Sequence, residues 1–291
     1  MELMSYDEVI KSLKKKKRII NLLLGNGFSM AYDPHIFSYN ALNGYIESID
    51  NKLLLSLFNL INTKNFELVM QQLDNFCEIA QTFGTDKELI KIIKEASDSL
   101  KTGLIDAVKE LHPEHVFTIP EDKCNACSKF LQEYLENNGH VFTTNYDILL
   151  YWVLMRNKIN NAIDGFGRDA ENAEADVPED EIIYSELRWG KHKETQNVHY
   201  IHGALPFFDT GIEIIKEEYD IQNYLLDKIK QRIEKKQYPI FVTAGNGNEK
   251  MVHIMHNHYL SHCYDKLSSI TGSLVIISSG DGSFCFFNGI I

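Results

Sequence analysis

Short apolar runs alternate with helical patterns along much of the chain. The first run, residues 19–24, stops at Gly25, as a buried strand does where it enters a tight loop. Comparable runs occupy residues 140–144, 198–201, 239–243 and 272–277, and helical patterns precede or follow most of them. Because strands that alternate with helices form parallel sheets, the pattern predicts an α/β fold. We expect a Rossmann-like, mainly parallel sheet with helices on both faces.

Two segments depart from this alternation. Over residues 41–138 the apolar residues recur at helical spacing, as Leu53, Leu57 and Leu60 do, which predicts a helical insertion. Seven acidic residues follow Arg168 within residues 169–181, without an apolar period, which predicts a solvated acidic loop over about residues 164–197. We expect one domain over residues 1–291 that contains both segments.

Composition and charge exclude several classes of protein. A hydrophobic content of 44% in 291 residues is enough for a sizeable core. The 29 basic and 41 acidic residues give a net charge of -12, which repels a phosphate backbone, so we expect no direct binding to nucleic acid. Without a long apolar span, a cleavable leader or paired cysteine spacing, the chain is expected to be cytoplasmic, with no membrane contact and reduced thiols.

Candidate chemistry begins where the first apolar run ends, at Gly25-Asn26-Gly27-Phe28-Ser29. A glycine turn after a buried strand lets backbone amides approach a pyrophosphate, although a strand-ending turn without a ligand has the same pattern. Met30 stands where the dinucleotide fingerprint needs a third glycine, and no Gly-Lys-Ser/Thr follows. The segment therefore supports neither an ordinary dehydrogenase nor a P-loop ATPase.

Two further polar segments follow predicted strands. The first is Thr143-Thr144-Asn145-Tyr146-Asp147, and the second is His202-Gly203. Helix capping by Asn145 or Asp147, and a packed His202, are the alternatives to a ligand site. Because ligands of parallel sheets bind at the carboxyl ends of the strands, we expect all three segments at one sheet edge.

In chain order, the motifs GNGFS, TTNYD and IHG and the late strand GSLVI resemble the sirtuin-type NAD-binding domain. The resemblance is closest to bacterial relatives that hydrolyse NAD+ during anti-phage defence, and it covers roughly residues 19–45 and 139–280. It implies Gly25, Asn26, Gly27 and Ser29 around the phosphates, Asn145 and Asp147 at the ribose and nicotinamide, and His202 at the ribose hydroxyls. The remaining cofactor-binding positions that it implies are Phe28, Asp33, Tyr39, Thr144, Tyr146, Gly203 and Gly245.

The resemblance implies an NAD+ glycohydrolase that cleaves NAD+ to nicotinamide and ADP-ribose. In this interpretation NAD+ is the substrate, Asn145 orients the water or the ribose, and His202 accepts a proton. Relatives are effectors of abortive infection, which implies activation by a partner, a homo-oligomer and a translocase-type ATPase partner subunit. The alternative is a non-catalytic subunit that binds NAD or ADP-ribose and regulates a defence assembly. An NAD-dependent oxidoreductase is disfavoured because no hydride acceptor site is evident.

Three features bear on metals and on the limits of the resemblance. Protein deacylases of the sirtuin family carry two Cys-x-x-Cys pairs, whereas this chain has only Cys124 and Cys127, which share a helix face with Leu131 and are expected in the core. A histidine cluster after residue 252 lacks the carboxylate spacing of a metal site, so no metal is expected; it comprises His253, His256, His258 and His262, beside Cys263. The apolar end, residues 284–291, departs from the relatives and is expected against the sheet or at a subunit contact, unless the chain is a shortened or altered relative.

Overall fold

A four-stranded parallel sheet forms the centre of the computed structural model. The structure describes residues 4–32, 52–61, 66–84, 86–111, 118–172, 178, 181–219, 224–242, 247–277 and 285–287. The parallel strands are β1 (Ile20–Leu24), β2 (Val141–Thr143), β5 (Val198–Tyr200) and β9 (Ser273–Ile277), in the order β9-β1-β2-β5. Helices flank this sheet, so the predicted Rossmann-like α/β class is confirmed.

The first strand is buried along most of its length, although it contains a polar residue. Leu22 and Leu24 are fully buried, and Asn21 is 1% exposed. The Asn21 amide nitrogen donates to the carbonyl oxygen of Thr271 at 2.9 Å, and its oxygen accepts from the His140 backbone amide at 3.0 Å. A buried amide needs such partners, and here they tie together the amino-terminal ends of three neighbouring strands.

Helices account for most of the remaining described chain. The first begins with a capping box, in which Ser5 and Glu8 each bond the backbone amide of the other. Cys124 is 1% exposed within the helix Glu121–Leu135, which confirms its predicted place in the core. The α-helices are Tyr6–Lys15, Asn26–Tyr32, Lys52–Ile61, Phe66–Thr82, Lys87–Leu111, Glu121–Leu135, Leu149–Arg156, Leu225–Glu234, Gly247–His256 and His258–Ser268.

A second sheet, which the sequence pattern does not predict, is antiparallel. It has the order β3-β4-β7-β6-β8, built from β3 (Phe166–Gly167), β4 (Leu187–Trp189), β6 (Gly203–Asp209), β7 (Ile214–Lys216) and β8 (Pro239–Phe241). The prediction that residues 239–243 add a strand to the parallel sheet is therefore wrong: β8 pairs with β6. The predicted acidic loop, about residues 164–197, also contains β3, β4 and the 3-10 helix Lys193–Thr195.

The apolar end of the chain adds one strand to the first sheet. The strand β10 (Cys285–Phe287) pairs antiparallel with β9, with Phe286 opposite Val275. The structure places these three residues in the sheet as an edge strand, and the rest of the apolar end lies outside the described residues. The strand β9 therefore has an antiparallel neighbour on the side that faces away from β1. No helix in the part of the chain that the structure describes is long and apolar enough to span a bilayer.

A buried histidine on β5 predicts that the fold loses stability in mild acid. His199 is fully buried, its ring stacks on Phe142 at 4.7 Å between centroids, and its Nε2 lies 3.0 Å from His140 Nδ1. Burial, followed by the neighbouring His140 and His262, lowers the pKa of His199 to about 2. An unfolded histidine takes up a proton near its ordinary pKa of about 6.5.

Below about pH 6.5 the unfolded state therefore binds a proton that folded His199 excludes, and the free energy of unfolding falls as pH falls. We expect this residue to contribute a loss of about 1.4 kcal/mol per pH unit between about pH 6 and pH 4. Urea denaturation across this range should show a shallower dependence in His199→Phe than in the wild type. His258→Ala, at an exposed position, should keep the wild-type slope. Equal slopes in His199→Phe and the wild type would contradict the prediction.

Candidate functional site

The three polar segments meet at the carboxyl edge of the parallel sheet. Leu24 of β1 lies opposite Thr143 of β2, which lies opposite Tyr200 of β5. Backbone hydrogen bonds continue this pairing past the strand ends, from the Thr144 amide to the Leu24 carbonyl and from the Ile201 amide to the Thr143 carbonyl, both at 2.9 Å. The polar residues that follow the three strands therefore emerge side by side, as the strand pattern predicts.

The glycine segment differs in form from the predicted tight loop. The helix Asn26–Tyr32 begins directly after Gly25, so Asn26 and Gly27 lie in its first turn. The Gly25 amide donates to the Ile277 carbonyl at 2.7 Å, and the Gly25 carbonyl accepts from the Phe28 amide at 3.1 Å. Phe28 is 7% exposed and packs near Phe130. The segment thus presents Ser29, rather than a row of open loop amides, to the second polar segment.

Ser29, Asn145 and Asp147 form one hydrogen-bonded cluster, which we call the Ser-Asn-Asp cluster. The Asn145 amide nitrogen donates to the Gly25 carbonyl at 3.0 Å and to Ser29 Oγ at 2.9 Å. Ser29 Oγ in turn donates to Asp147 Oδ2 at 2.6 Å. An asparagine amide has two hydrogens, so both donors of Asn145 are used inside the protein.

The Asp147 carboxylate is buried and accepts two hydrogen bonds. Its Oδ1 accepts from the amide of Leu149, the first residue of the helix Leu149–Arg156, at 3.0 Å, while Oδ2 accepts from Ser29. Burial raises the pKa of Asp147 to about 6, and the bonds from Ser29 and Leu149 oppose that rise. Of the capping alternative, the structure shows the bond to the first helical amide, while the N-cap position itself is Ile148. Near pH 7 the group is still mainly ionised.

Thr144 and Tyr146 connect the sheet edge to its surroundings. The Thr144 hydroxyl donates to the Leu24 carbonyl at 3.3 Å. The Tyr146 carbonyl accepts from the Leu205 amide at 3.0 Å, and the Tyr146 ring stacks on Phe241 at 5.6 Å between centroids. Tyr146 thereby joins the parallel sheet to β6 and β8 of the second sheet.

His202 is partly buried beside the second polar segment. Burial and the nearby Lys250 lower the pKa of His202 to about 4, a hydrogen bond with the Thr144 backbone opposes this, and His253 adds to the lowering. The imidazole is therefore neutral near pH 7 and can accept a proton. Lys250 and His253 belong to the helix Gly247–His256. His253 is part of the histidine cluster identified from the sequence, but Lys250 was not identified there; inspection of the residues after the apolar run 239–243 would have found it.

The residue after His202 allows a very close approach of β8. Gly203 has a φ of +73°, and a Cβ at this position would lie 2.0 Å from the Ile240 carbonyl oxygen. The Val242 amide donates to the His202 carbonyl at 2.8 Å, so the end of β8 is bonded beside the histidine. Three other sequence-predicted site residues, Asp33, Tyr39 and Gly245, lie outside the described residues.

The histidine cluster identified from the sequence is distributed over two helices in the structure. The histidines after residue 252 are divided between two successive helices, with His253 and His256 on Gly247–His256 and His258 and His262 on His258–Ser268. Among the residues that the structure describes, no group of three or more His, Cys, Asp or Glu side chains is placed to hold a metal ion. The candidate chemistry of the described residues lies in the Ser-Asn-Asp cluster and His202.

Comparison with known proteins gives a family but no activity. No curated protein shows significant sequence similarity to the chain. A family model described as a domain of unknown function, DUF4917, matches residues 22–283, which include every residue of the site described above. Because the match covers most of the chain, this protein belongs to the DUF4917 family.

Proposed function

We propose that the carboxyl edge of the parallel sheet binds NAD+ and hydrolyses the bond between nicotinamide and ribose, releasing nicotinamide and ADP-ribose. The observation that carries the proposal is the hydrogen-bonded Ser-Asn-Asp cluster, which lies one strand away from a neutral histidine at the same edge. An amide, a carboxylate and a base at a strand-end crevice are suited to holding a sugar and a water. The resemblance of the same motifs to NAD-hydrolysing domains supports this choice of substrate.

The reaction needs few protein groups because nicotinamide leaves as a neutral molecule. The carbon to nitrogen bond breaks with its electron pair going to the nicotinamide nitrogen, and positive charge develops on the ribose, as in glycoside hydrolysis. The oxygen of a water molecule then forms the new bond to the ribose carbon and loses one proton. The site must therefore hold the ribose, position the water and accept that proton.

The contacts of each residue suggest how these tasks are divided. Because both Asn145 amide hydrogens are donated within the protein, its side-chain oxygen is the atom that would accept a hydrogen bond from the water. The buried Asp147 carboxylate would stabilise the positive charge that develops on the sugar. His202, neutral near pH 7, would take the proton directly or through a ribose hydroxyl.

A binding subunit without catalysis is the second candidate function. Asn145 is 9% exposed, and its amide group holds the Gly25 carbonyl and Ser29. This arrangement also suits a residue that shapes a pocket without touching a reacting water. In this case the protein would bind NAD or ADP-ribose and release no nicotinamide.

The biological setting follows from the resemblance alone. We propose a cytoplasmic effector of anti-phage defence that works as a homo-oligomer and is activated by a partner, such as a translocase-type ATPase subunit. Control of this kind would keep the enzyme silent in the absence of infection. Assays of the isolated chain therefore need a parallel assay in cells carrying its neighbouring genes, with and without phage.

Nicotinamide release separates the two candidate functions. We expect the wild type, alone or in infected cells, to convert NAD+ to nicotinamide and ADP-ribose in equal amounts, as quantified by chromatography. Asn145→Ala should lower the rate at least about 100-fold, because loss of a group that positions the reactants commonly has an effect of this size. Binding of ADP-ribose without nicotinamide release under any of these conditions would favour the binding subunit. Absence of both binding and release would refute the proposed NAD+ site.

A further inference from the structure

The helix Gly247–His256 follows β8, the end of which is bonded beside His202, and carries Lys250 in its first turn. We propose that Lys250, supported by His253 one helical turn later, binds the pyrophosphate of the nucleotide and makes His202 responsive to the bound anion. The inference rests on the proposed function for its ligand, an ADP-ribosyl nucleotide. It adds a binding residue that the motifs do not contain.

The placement of this helix follows from two anchored points on β6. At one end of β6, the Val242 amide donates to the His202 carbonyl at 2.8 Å, and Gly203 pairs with Phe241. At the other end, the Asn257 amide nitrogen donates to Asp209 Oδ2 at 3.1 Å. The helix Gly247–His256 lies in the chain between these two points.

The helix Gly247–His256 is suited to that distance. Ten helical residues span about 15 Å, and the seven residues of β6 span about 20 Å. The first turn of the helix, which contains Lys250, is the end nearer His202. Positions three apart share a helix face, so His253 follows Lys250 on the same side. The influence of both residues on the pKa of His202 agrees with this placement.

A lysine beside the site would offset the repulsion between this acidic protein and the phosphates of a nucleotide. The protein carries a net charge of -12, which disfavours a nucleotide with two phosphate charges unless a cation lies at the site. Burial lowers the pKa of His253, so its imidazole is the weaker cation of this pair. A lysine ammonium binds phosphate as a point charge and tolerates several phosphate positions.

Anion binding at Lys250 would also change the basicity of His202. In the free protein the lysine charge helps to keep the pKa of His202 at about 4, after burial as the larger cause. A bound pyrophosphate neutralises that charge, so the pKa of His202 should rise and the histidine should become a better base when the substrate is present. The nucleotide would thus help to prepare the residue that accepts the proton.

Calorimetric titration with ADP-ribose, adenosine and inorganic pyrophosphate tests the site without turnover. Lys250→Gln should weaken ADP-ribose and pyrophosphate binding about 10- to 100-fold, while adenosine binding stays unchanged. Lys250→Arg should retain most of the affinity. Lys129→Gln removes an exposed lysine from the helix Glu121–Leu135 and should bind like the wild type.

An NMR titration of the His202 ring provides a readout independent of affinity. Saturating pyrophosphate should raise the pKa of His202 in the wild type and leave it unchanged in Lys250→Gln. Equal ADP-ribose binding by the wild type and Lys250→Gln would overturn the lysine site and leave the NAD+ site intact. Pyrophosphate binding that depends on Lys250, without nicotinamide release, would support the anion site and count against hydrolysis. If neither ADP-ribose nor pyrophosphate binds the wild type, both proposals fail.

Discussion

His202→Ala is expected to lower the rate of nicotinamide release by about 100- to 10,000-fold, the usual effect of removing a group that takes the proton in catalysis. The expectation follows from the position of this histidine. It is partly buried, hydrogen-bonded with the Thr144 backbone, and neutral near pH 7 because burial and Lys250 lower its pKa to about 4. Alanine removes the imidazole, whereas the backbone bond between Val242 and residue 202 is retained.

The measurement is nicotinamide release over a series of NAD+ concentrations up to saturation, which gives kcat and KM separately, paired with thermal unfolding to show that each variant is folded. His258→Ala removes an exposed histidine from the helix His258–Ser268 and should keep the wild-type rate. A loss that appears only in KM, with kcat unchanged, would make His202 a binding residue and not a base. Wild-type turnover in folded His202→Ala would exclude the residue from the reaction.

The strand pattern predicts which polar segments meet at the carboxyl edge of the parallel sheet, because the ends of parallel strands lie together. Strands buried on both faces appear as continuous apolar runs, and parallel strands place their carboxyl ends together. Residues 19–24, 140–144 and 198–201 are runs of this kind, and each leads into a polar segment. Their adjacency in the sheet could therefore be predicted without any coordinates.

The sequence pattern does not predict the second sheet, because the patterns of its strands also fit other structures. The apolar run at residues 239–243 resembles a parallel strand, since periodicity alone does not distinguish the two kinds of sheet. The segment after Gly203 contains a hairpin signal, in which Asp209, Thr210 and Gly211 separate two apolar runs. That signal predicts the hairpin of β6 and β7, and with it an antiparallel sheet to which β8 could have been assigned.

The hydrogen-bond partners of individual polar side chains could not be predicted from the sequence. The motif GNGFS predicts an open loop, but Asn26 and Gly27 lie in a helix, and Ser29 bonds to Asp147. No sequence pattern shows that both amide hydrogens of Asn145 are donated to Gly25 and Ser29. Which atoms form hydrogen bonds depends on atomic positions in the folded structure, and a pattern of residue types does not specify those positions.

Gly203→Ala is expected to cause the largest loss of stability among single substitutions near the site, about 3 to 5 kcal/mol in the free energy of unfolding. Two costs combine. A φ of +73° is strained for alanine by about 1 to 2 kcal/mol, and a Cβ 2.0 Å from the Ile240 carbonyl oxygen forces β8 to move away from β6. Carbonyl and strand backbone yield less easily than a flexible side chain.

Gly211→Ala separates these two costs. Gly211 has a φ of +82°, similar to that of Gly203, but a Cβ there would meet no atom within 4 Å. Its substitution should therefore cost only the backbone strain, about 1 to 2 kcal/mol, in urea denaturation followed by circular dichroism. Similar losses in the two variants would mean that β8 does not lie tightly against Gly203. Because Val242 at the end of β8 bonds to His202, a tight contact there also implies that Gly203→Ala, in the fraction that remains folded, displaces the histidine and weakens ADP-ribose binding.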